Sequence, residues 1–305
     1  MPHTDIEQAY FIDKEKVRRA FDRAAETYDE YAALQAEIGE RMLSRLDYIR
    51  IDPKRIVDIG SGTGHITKGL SQRFTKTDVV ALDLAEGMLR KSLSTQKKGL
   101  GRLFSRSKNN FIHHLCADAE NLPINNDSVD FVFSSVTFQW CNDLDKALQE
   151  CYRVLTPGSL IFFSSFGPDT LNELRSAWNE IDNYNHVNAF IDMHDIGDAL
   201  IRAGFQSPVL DIENFTLTYD KVTDLMRELK AIGAHNVTAG RQRGLMGKQH
   251  LKQIEQSYEK FRHEGKLPAS YEVIYGHAWV PEQKTRKEAD NIEVKISLKQ
   301  LGRRK

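Results

Sequence analysis

The chain has little of what would tie it to a membrane, a disulfide scaffold or a polyanion. Its three cysteines, Cys116, Cys141 and Cys151, are an odd number and show neither a CxxC pair nor Cys/His ligand spacing. That excludes a disulfide framework and a thiolate metal site, and the thiols read as core side chains in a reducing compartment. No stretch approaches the roughly 18 uninterrupted apolar residues of a membrane helix. The most apolar segment is SLIFFSSF at 159–166. Neither sign of charge prevails, since 42 Lys and Arg face 43 Asp and Glu for a net charge of -1. No global field therefore draws the chain to nucleic acid or an anionic membrane. The opening MPHTDIEQAY carries Asp5 and Glu7 and no apolar core. It reads as neither a secretory nor a transit sequence, and a cytoplasmic location is expected. Glycine and proline, at 19 and 8, are too few for a collagenous or low-complexity chain.

What is present fits one large α/β domain with appendages, with residues 1–280 as the domain. From Asp13 to Arg50 apolar residues such as Val17, Phe21, Tyr28, Leu34, Ile38 and Met42 recur at three and four, which predicts one or two amphipathic helices. The period then changes. RIVDIG (55–60) is a β-branched run ending in glycines, and a helical pattern resumes over 66–74. DVVALD (78–83), FIHHLCAD (111–118), VDFVFSS (129–135) and SLIFFSSF (159–166) are four more strand candidates, with a helix predicted over 144–155 before Pro157-Gly158. Strands alternating with helices require crossover connections and imply a parallel sheet. Beyond it, 170–204 and 221–263 are mostly helical, while IENFTLTY (212–219) and YEVIYGHAWV (271–280) read as two further strands. Residues 281–305 are charged and poor in apolar side chains, and are expected to form a disordered tail.

The strongest chemical signal is VDIGSGTG at 57–64, directly after the first strand. Glycines without a Cβ let the backbone turn sharply and approach a ligand, and the following helix offers free N–H groups. Gly60, Gly62 and Gly64 give GxGxG rather than the dinucleotide GxGxxG, and Asp58 stands two residues ahead of the first glycine. An acid there would repel pyrophosphate and suit a cationic amino group. Asp83, nineteen residues after Gly64 at the end of the second strand, is placed to accept ribose hydroxyls. An adenosine carrying an amino acid fits this set better than a nicotinamide dinucleotide.

With these residues the chain resembles class I S-adenosylmethionine-dependent methyltransferases. Asp58, Gly60, Ser61, Gly62 and Gly64 match their first motif, Asp83 with Leu84 their ribose acid, and DAENLP from Asp118, with Ala119 and Glu120, the loop that faces the adenine amino group. Ser134 completes the set at the end of the fourth strand. The resemblance implies an α/β, Rossmann-like fold: a mostly parallel seven-stranded sheet with helices on both faces and a helical lid. The lid is expected from 14–50, 170–204 and 221–263. S-adenosyl-L-methionine is the implied cofactor, S-adenosyl-L-homocysteine its product, and no metal is expected.

A narrower likeness is carried by FDRAAETYDEYAALQAEIGERML (21–43), the segment 134–178, LKAIGAHN (229–236) and GKLPASYEVIYGHAW (265–279). These are similar to the malonyl-[acyl-carrier protein] O-methyltransferase family of biotin synthesis. That family's reaction methylates the free carboxylate of a malonyl thioester, on malonyl-acyl-carrier protein or malonyl-CoA, to prime pimeloyl synthesis. No general base is needed for a carboxylate already ionised at pH 7. A cation that orients it is needed, and Lys230, His235, Arg241 and Arg243 are available in the second lid segment. Arg241 is favoured because its planar fork grips one oxygen and leaves the other to attack, with Lys230 as the fallback. His235 is a candidate donor to the thioester carbonyl, and the hydroxyl of Tyr28 or Tyr31 a candidate neighbour of either ligand. Gln139-Trp140 is expected beside the accepting group. The basic run Arg90, Lys91, Lys97, Lys98, Arg102, Arg106 and Lys108 departs from the family and reads as a solvated excursion or a docking patch for an acidic carrier. Two alternatives keep the fold and change the role: a methyltransferase-like protein-arginine hydroxylase or respiratory-complex assembly factor, and a non-catalytic binding module.

Overall fold

Strands form where apolar and β-branched residues run together. β1 (Arg55–Ile59), β2 (Asp78–Asp83), β3 (Ile112–Cys116), β4 (Val129–Ser134) and β5 (Leu155–Phe166) lie parallel. β6 (Gln206–Tyr219) and β7 (Leu267–Trp279) complete a seven-stranded sheet of order β3-β2-β1-β4-β5-β7-β6, in which β7 runs against both neighbours. The computed structural model describes residues 11–97, 111–182, 184–234, 236 and 247–284. The helices are α1 (Lys14–Ala24), α2 (Tyr28–Tyr31), α3 (Ala33–Arg45), α4 (His65–Arg73), α5 (Glu86–Lys97), α6 (Leu144–Val154), α7 (Asn172–Asn179), α8 (Met193–Ala203), α9 (Val222–Ala231) and α10 (Lys248–Tyr258).

The continuous apolar runs of β1, β4 and β5 are explained by burial on both faces. Successive side chains alternate. Ile56, Phe131, Phe133 and Phe162 pack against Ile38 and Met42 of α3, Leu70 of α4, Trp178 of α7 and Tyr258 of α10. Their neighbours Val57, Ile59, Val132 and Phe163 pack against Leu148 and Cys151 of α6 and Ile196 and Leu200 of α8. Each full burial of an Ile or Phe contributes about 1.5–3 kcal/mol. Caps set where the helices begin: Asp143 accepts the Lys146 N–H at 2.9 Å, and Asp192 accepts that of His194 at 2.8 Å. No helix among the described residues is long and apolar enough to cross a membrane.

Three expectations shift. α6 stops at Val154, and Leu155 already pairs with Val129, so β5 begins before the Pro157-Gly158 pair, which sits inside it where the register slips. β6 and β7 extend to Gln206 and Leu267, because each pairs with the other along its length and polar outer-face residues conceal the strand pattern. Of the residues expected to form a tail, Pro281 to Lys284 lie on the domain, with Lys284 Nζ 2.6 Å from Asp127 and 2.7 Å from the Tyr152 carbonyl. Residues from 285 lie outside the described set.

Order and direction together place the site. From β1 the chain steps one way to β2 and β3, and from β4 the other way to β5. A crevice therefore opens between the carboxyl ends of β1 and β4, where open α/β sheets bind ligands.

Candidate active site

The first motif turns into that crevice. Gly60, Gly62 and Gly64 have φ of 74°, 54° and 85°, which L side chains rarely adopt. Their surroundings differ. A Cβ on Gly60 would lie 1.9 Å from Thr137 Oγ1 and one on Gly64 2.1 Å from Ser92 Oγ, whereas one on Gly62 meets nothing within 4 Å among the described residues. Gly60 is thus required by the close approach of the loop after β4, and Gly62 by open space that a ligand can use. The two strand ends are stitched at the Ile59 carbonyl, which accepts from Ser134 Oγ at 3.0 Å and Thr137 Oγ1 at 3.1 Å.

Asp83, at the tip of β2, accepts the Gly62 N–H at 2.9 Å and the Ala85 N–H at 2.8 Å. Burial pushes its carboxyl up to about 6, against the pull of those N–H groups. Asp58 is also buried, and Thr67 Oγ1 donates to it at 2.5 Å. Burial, with Asp83 adding to it, raises Asp58 to about 7. α1 and α2 cross above this end. Lys14 Nζ reaches Asp118 at 2.8 Å and Glu120 at 2.9 Å, Asp22 accepts the Gly87 N–H at 2.7 Å, and Asp29 accepts from Thr63 Oγ1 at 2.5 Å. Tyr28 is partly buried beside Asp83 and Asp29. Burial first, then those two carboxylates, hold its phenol far above its usual range, so it remains a hydroxyl.

A cavity of about 300 Å³ runs from this end across the tips of β1 and β4. Its far end is walled by Phe166, Trp178, Phe190 and Tyr271, with Met226 and Leu229 of α9 above. Phe166 meets Phe190 and Tyr271 with ring centroids 5.8 and 5.7 Å apart. Polar groups are few here. Among the described residues Ser135 Oγ, Gln139 Oε1 and Asn188 Oδ1 are buried without a partner, and all three side chains line the cavity. Val136 and Leu171, also on its wall, have φ of 45° and 55°, and non-glycine residues held there concentrate at functional sites. A second cavity of about 290 Å³ lies beyond Trp178 and His186, which belong to both walls.

The expected residues distribute as follows. Gly60, Gly62, Asp83, Leu84, Asp118, Ala119 and Tyr28 line the main cavity, as do Gln139 and Trp140. Asp58, Ser61, Gly64, Glu120 and Ser134 do not: Ser134 is buried against β1, Gly64 caps α4, and Glu120 accepts the Asn142 N–H at 2.6 Å. Asp58, expected to meet a ligand's amino group, stays on β1 with its carboxylate bonded to Thr67 of α4. Lys230 is exposed on α9 and is not among the lining residues, and Tyr31 is likewise exposed. Arg241, Arg243 and His235 lie outside the described residues. So does the basic run from Lys98 onward; Arg90 and Lys91 pair with Glu86 and Glu26. Of the three cysteines read as core thiols, only Cys151 is fully buried, Cys116 is exposed and Cys141 lines the cavity. The expected lid also divides. α8 contributes no lining residue and packs beside α6 on the sheet, while α1, α2, α7 and α9 do line the cavity. Lys14, Trp178, His186 and Asn188 were not anticipated.

A family described as "Methyltransferase domain" matches residues 57–163, the span from the first motif through most of β5. Two solved structures share the fold: the YcgJ protein of Bacillus subtilis (TM-score 0.56, 16% identity, 80% of this chain and 100% of that one) and a putative methyltransferase of Bacillus halodurans (0.54, 17%, 78% and 98%). Sheet order, glycine turn and matched domain define a class I S-adenosylmethionine-dependent methyltransferase. A malonyl-[acyl-carrier protein] O-methyltransferase of Methylovorus is 54% identical over 90% of this chain and 91% of its own length, and one of Coxiella burnetii 40% identical over 100% of both. A biotin biosynthesis bifunctional protein of Cellvibrio japonicus is 41% identical over 87% of this chain and 50% of its own. The chain belongs to the malonyl-[acyl-carrier protein] O-methyltransferase family.

Proposed function

We propose that the chain methylates the free carboxylate of a malonyl thioester on acyl-carrier protein, giving the ester that primes pimeloyl synthesis for biotin. The observation that carries this reading is the single cavity that joins the glycine turn and Asp83 to a mostly apolar end with a few unpaired polar groups. S-adenosylmethionine, when bound, supplies a sulfonium methyl to one carboxylate oxygen, a C–O bond forming as the C–S bond breaks with its electron pair left on sulfur. The open face of Gly62, the partly buried carboxylate of Asp83 and the Asp118-Ala119 loop fit an adenosine, with Asp83 for the ribose hydroxyls and Asp118 for the adenine edge.

The chain's own work is orientation and exclusion of water. The acceptor carboxylate is ionised near neutral pH, so no side chain has to remove a proton. Tyr28, held as a phenol, serves as a hydroxyl donor and not as a base. An anion and a cation that neutralise one another react faster out of water, because charge is lost on the way to the transition state. α1 and α2 over one end and α7 and α9 over the other form the cover that makes the cavity dry.

Incubation with S-adenosylmethionine and malonyl-acyl-carrier protein, followed by mass spectrometry, should show the gain of one methyl. Malonyl-CoA run in parallel distinguishes the carriers. No methyl gain on either thioester defeats the proposal.

A further inference from the structure

Lys14 and His186 are the cation-capable side chains among the described residues that line the cavity. Lys14 is already held at the nucleoside end by the two carboxylates of Asp118 and Glu120. His186 stands at the opposite end. Its ring lies flat on Trp178, with centroids 3.8 Å apart and planes 8° from parallel, and its Nε2 is 2.8 Å from Asp182 Oδ1. Asp182 is itself fixed by the Tyr184 N–H at 2.9 Å, while its Oδ2 is buried without a partner. Two contacts therefore set the imidazole, the stack fixing its plane and the carboxylate its rotation. Nδ1 has no partner among the described residues. Two residues on in sequence, Asn188 is 7% exposed with an Oδ1 on the cavity wall that has no partner among the described residues, so this end is built with polar groups that those residues do not satisfy. Unpaired buried polar atoms mark places where a ligand completes the hydrogen bonding.

We propose that His186, oriented by Asp182 and Trp178, is the cation that binds the malonyl carboxylate and sets the preference for an acidic acyl group over a neutral one. The inference rests on the function proposed above and deepens it. With a proton on each nitrogen, the ring would donate Nε2–H to Asp182 and Nδ1–H to one substrate oxygen, leaving the second oxygen free to attack. Aromatic stacking suits an imidazolium, since a cation is attracted to the face of an indole. Asp182 acts through His186 and is a positioning residue. A neutral acyl chain offers nothing to Nδ1–H, which is then left desolvated, so the site discriminates by an unpaired donor as well as by attraction.

The test measures binding of malonyl- and acetyl-acyl-carrier protein to the full chain by calorimetry, with S-adenosylhomocysteine bound so that no reaction occurs. His186→Gln should weaken the malonyl form about 10- to 100-fold, the loss of one charge-assisted bond, and leave the acetyl form within about 2-fold. His186→Arg should restore part of the malonyl preference. Asp182→Asn, which keeps the ring and its stack, should lower that preference in the same direction and by less, and it decides the matter if the glutamine variant does not fold. If both thioesters weaken together in these variants, or if the malonyl preference is unchanged, the assignment is overturned. Wild-type turnover separates this failure from the wider one. A wild type that does not methylate malonyl-carrier protein defeats the proposed function, whereas a wild type that does, with variants of unaltered selectivity, defeats His186 alone.

Discussion

Replacing Gly62 with alanine separates the needs of the fold from those of the ligand. At φ 54° a Cβ costs about 1–2 kcal/mol. No atom of the described residues lies within 4 Å of that Cβ, so they add no packing penalty. The same change at Gly60 brings the strain and a 1.9 Å approach to Thr137 Oγ1, whose hydroxyl is bonded to the Ile59 and Ser135 carbonyls and has nowhere easy to go. Overpacking of that kind costs about 1–3 kcal/mol, for a total of about 2–5. Chemical denaturation should therefore rank Gly60→Ala below Gly62→Ala in stability. S-adenosylhomocysteine affinity should run otherwise, since the Gly62 methyl enters the cavity. A loss of about 10-fold or more is expected in a protein that is still folded, from an intrusion worth about 1–3 kcal/mol. A Gly62→Ala protein that binds at wild-type strength would show that the ligand does not use this face of the turn. One that loses more than about 3 kcal/mol of stability would refute the claim that the space is open.

Asp83→Ala should weaken S-adenosylhomocysteine by about 1–3 kcal/mol in calorimetry through lost ribose bonds, and an unchanged Kd would leave Asp83 only the task of holding the Gly62 and Ala85 N–H groups. Asp58 and Asp83 both have folded pKa values above the ordinary 3.8, so the native state retains protons that the unfolded chain releases. Their contribution to stability is complete below the unfolded value and is lost as pH rises through about 6 to 7. Urea midpoints of the ligand-free protein should thus be higher near pH 5 than near pH 7.5, other groups being equal, and Asp58→Asn should flatten the slope; a slope identical to wild type contradicts this. Lys14→Ala removes the cation joining α1 to Asp118 and Glu120. S-adenosylhomocysteine should then dissociate faster in stopped-flow displacement, and an unaltered off-rate breaks the link between α1 and ligand retention.

The glycine-turn end of the cavity was legible because it is local. VDIGSGTG carries its own turn geometry, and Asp83 and the Asp118 loop follow at the tips of neighbouring parallel strands, where spacing along the chain maps onto spacing in the sheet. The far end of the cavity is not local. Trp178 ends α7, His186 and Asn188 sit in the irregular stretch after it, and Tyr271 arrives from β7 on the reversed strand, so no period or short motif connects them. Helix function was similarly hidden. α8 has the amphipathic pattern of a covering helix, and only its packing on α6 and β6 assigns it to the sheet layer. Asp58 shows the same limit within a recognised motif: its place in the chain is plain, but not that Thr67 Oγ1 donates to its carboxylate.

One cavity lies under two roofs built from different parts of the chain. α1 and α2 are fastened over the glycine-turn end by Lys14, Asp22 and Asp29, while the far end is closed by α7, the stretch that carries His186, and α9. The roofs meet where α1 gives way to α2, since Thr27 Oγ1 lies 3.5 Å from the carbonyl of Ala231, the last residue of α9. Lifting α9 therefore disturbs the contact with α1 and α2, and on the proposed reading the two ends do not open independently. The kinetic signature of such a layout is an opening rate at one end that depends on what is bound at the other.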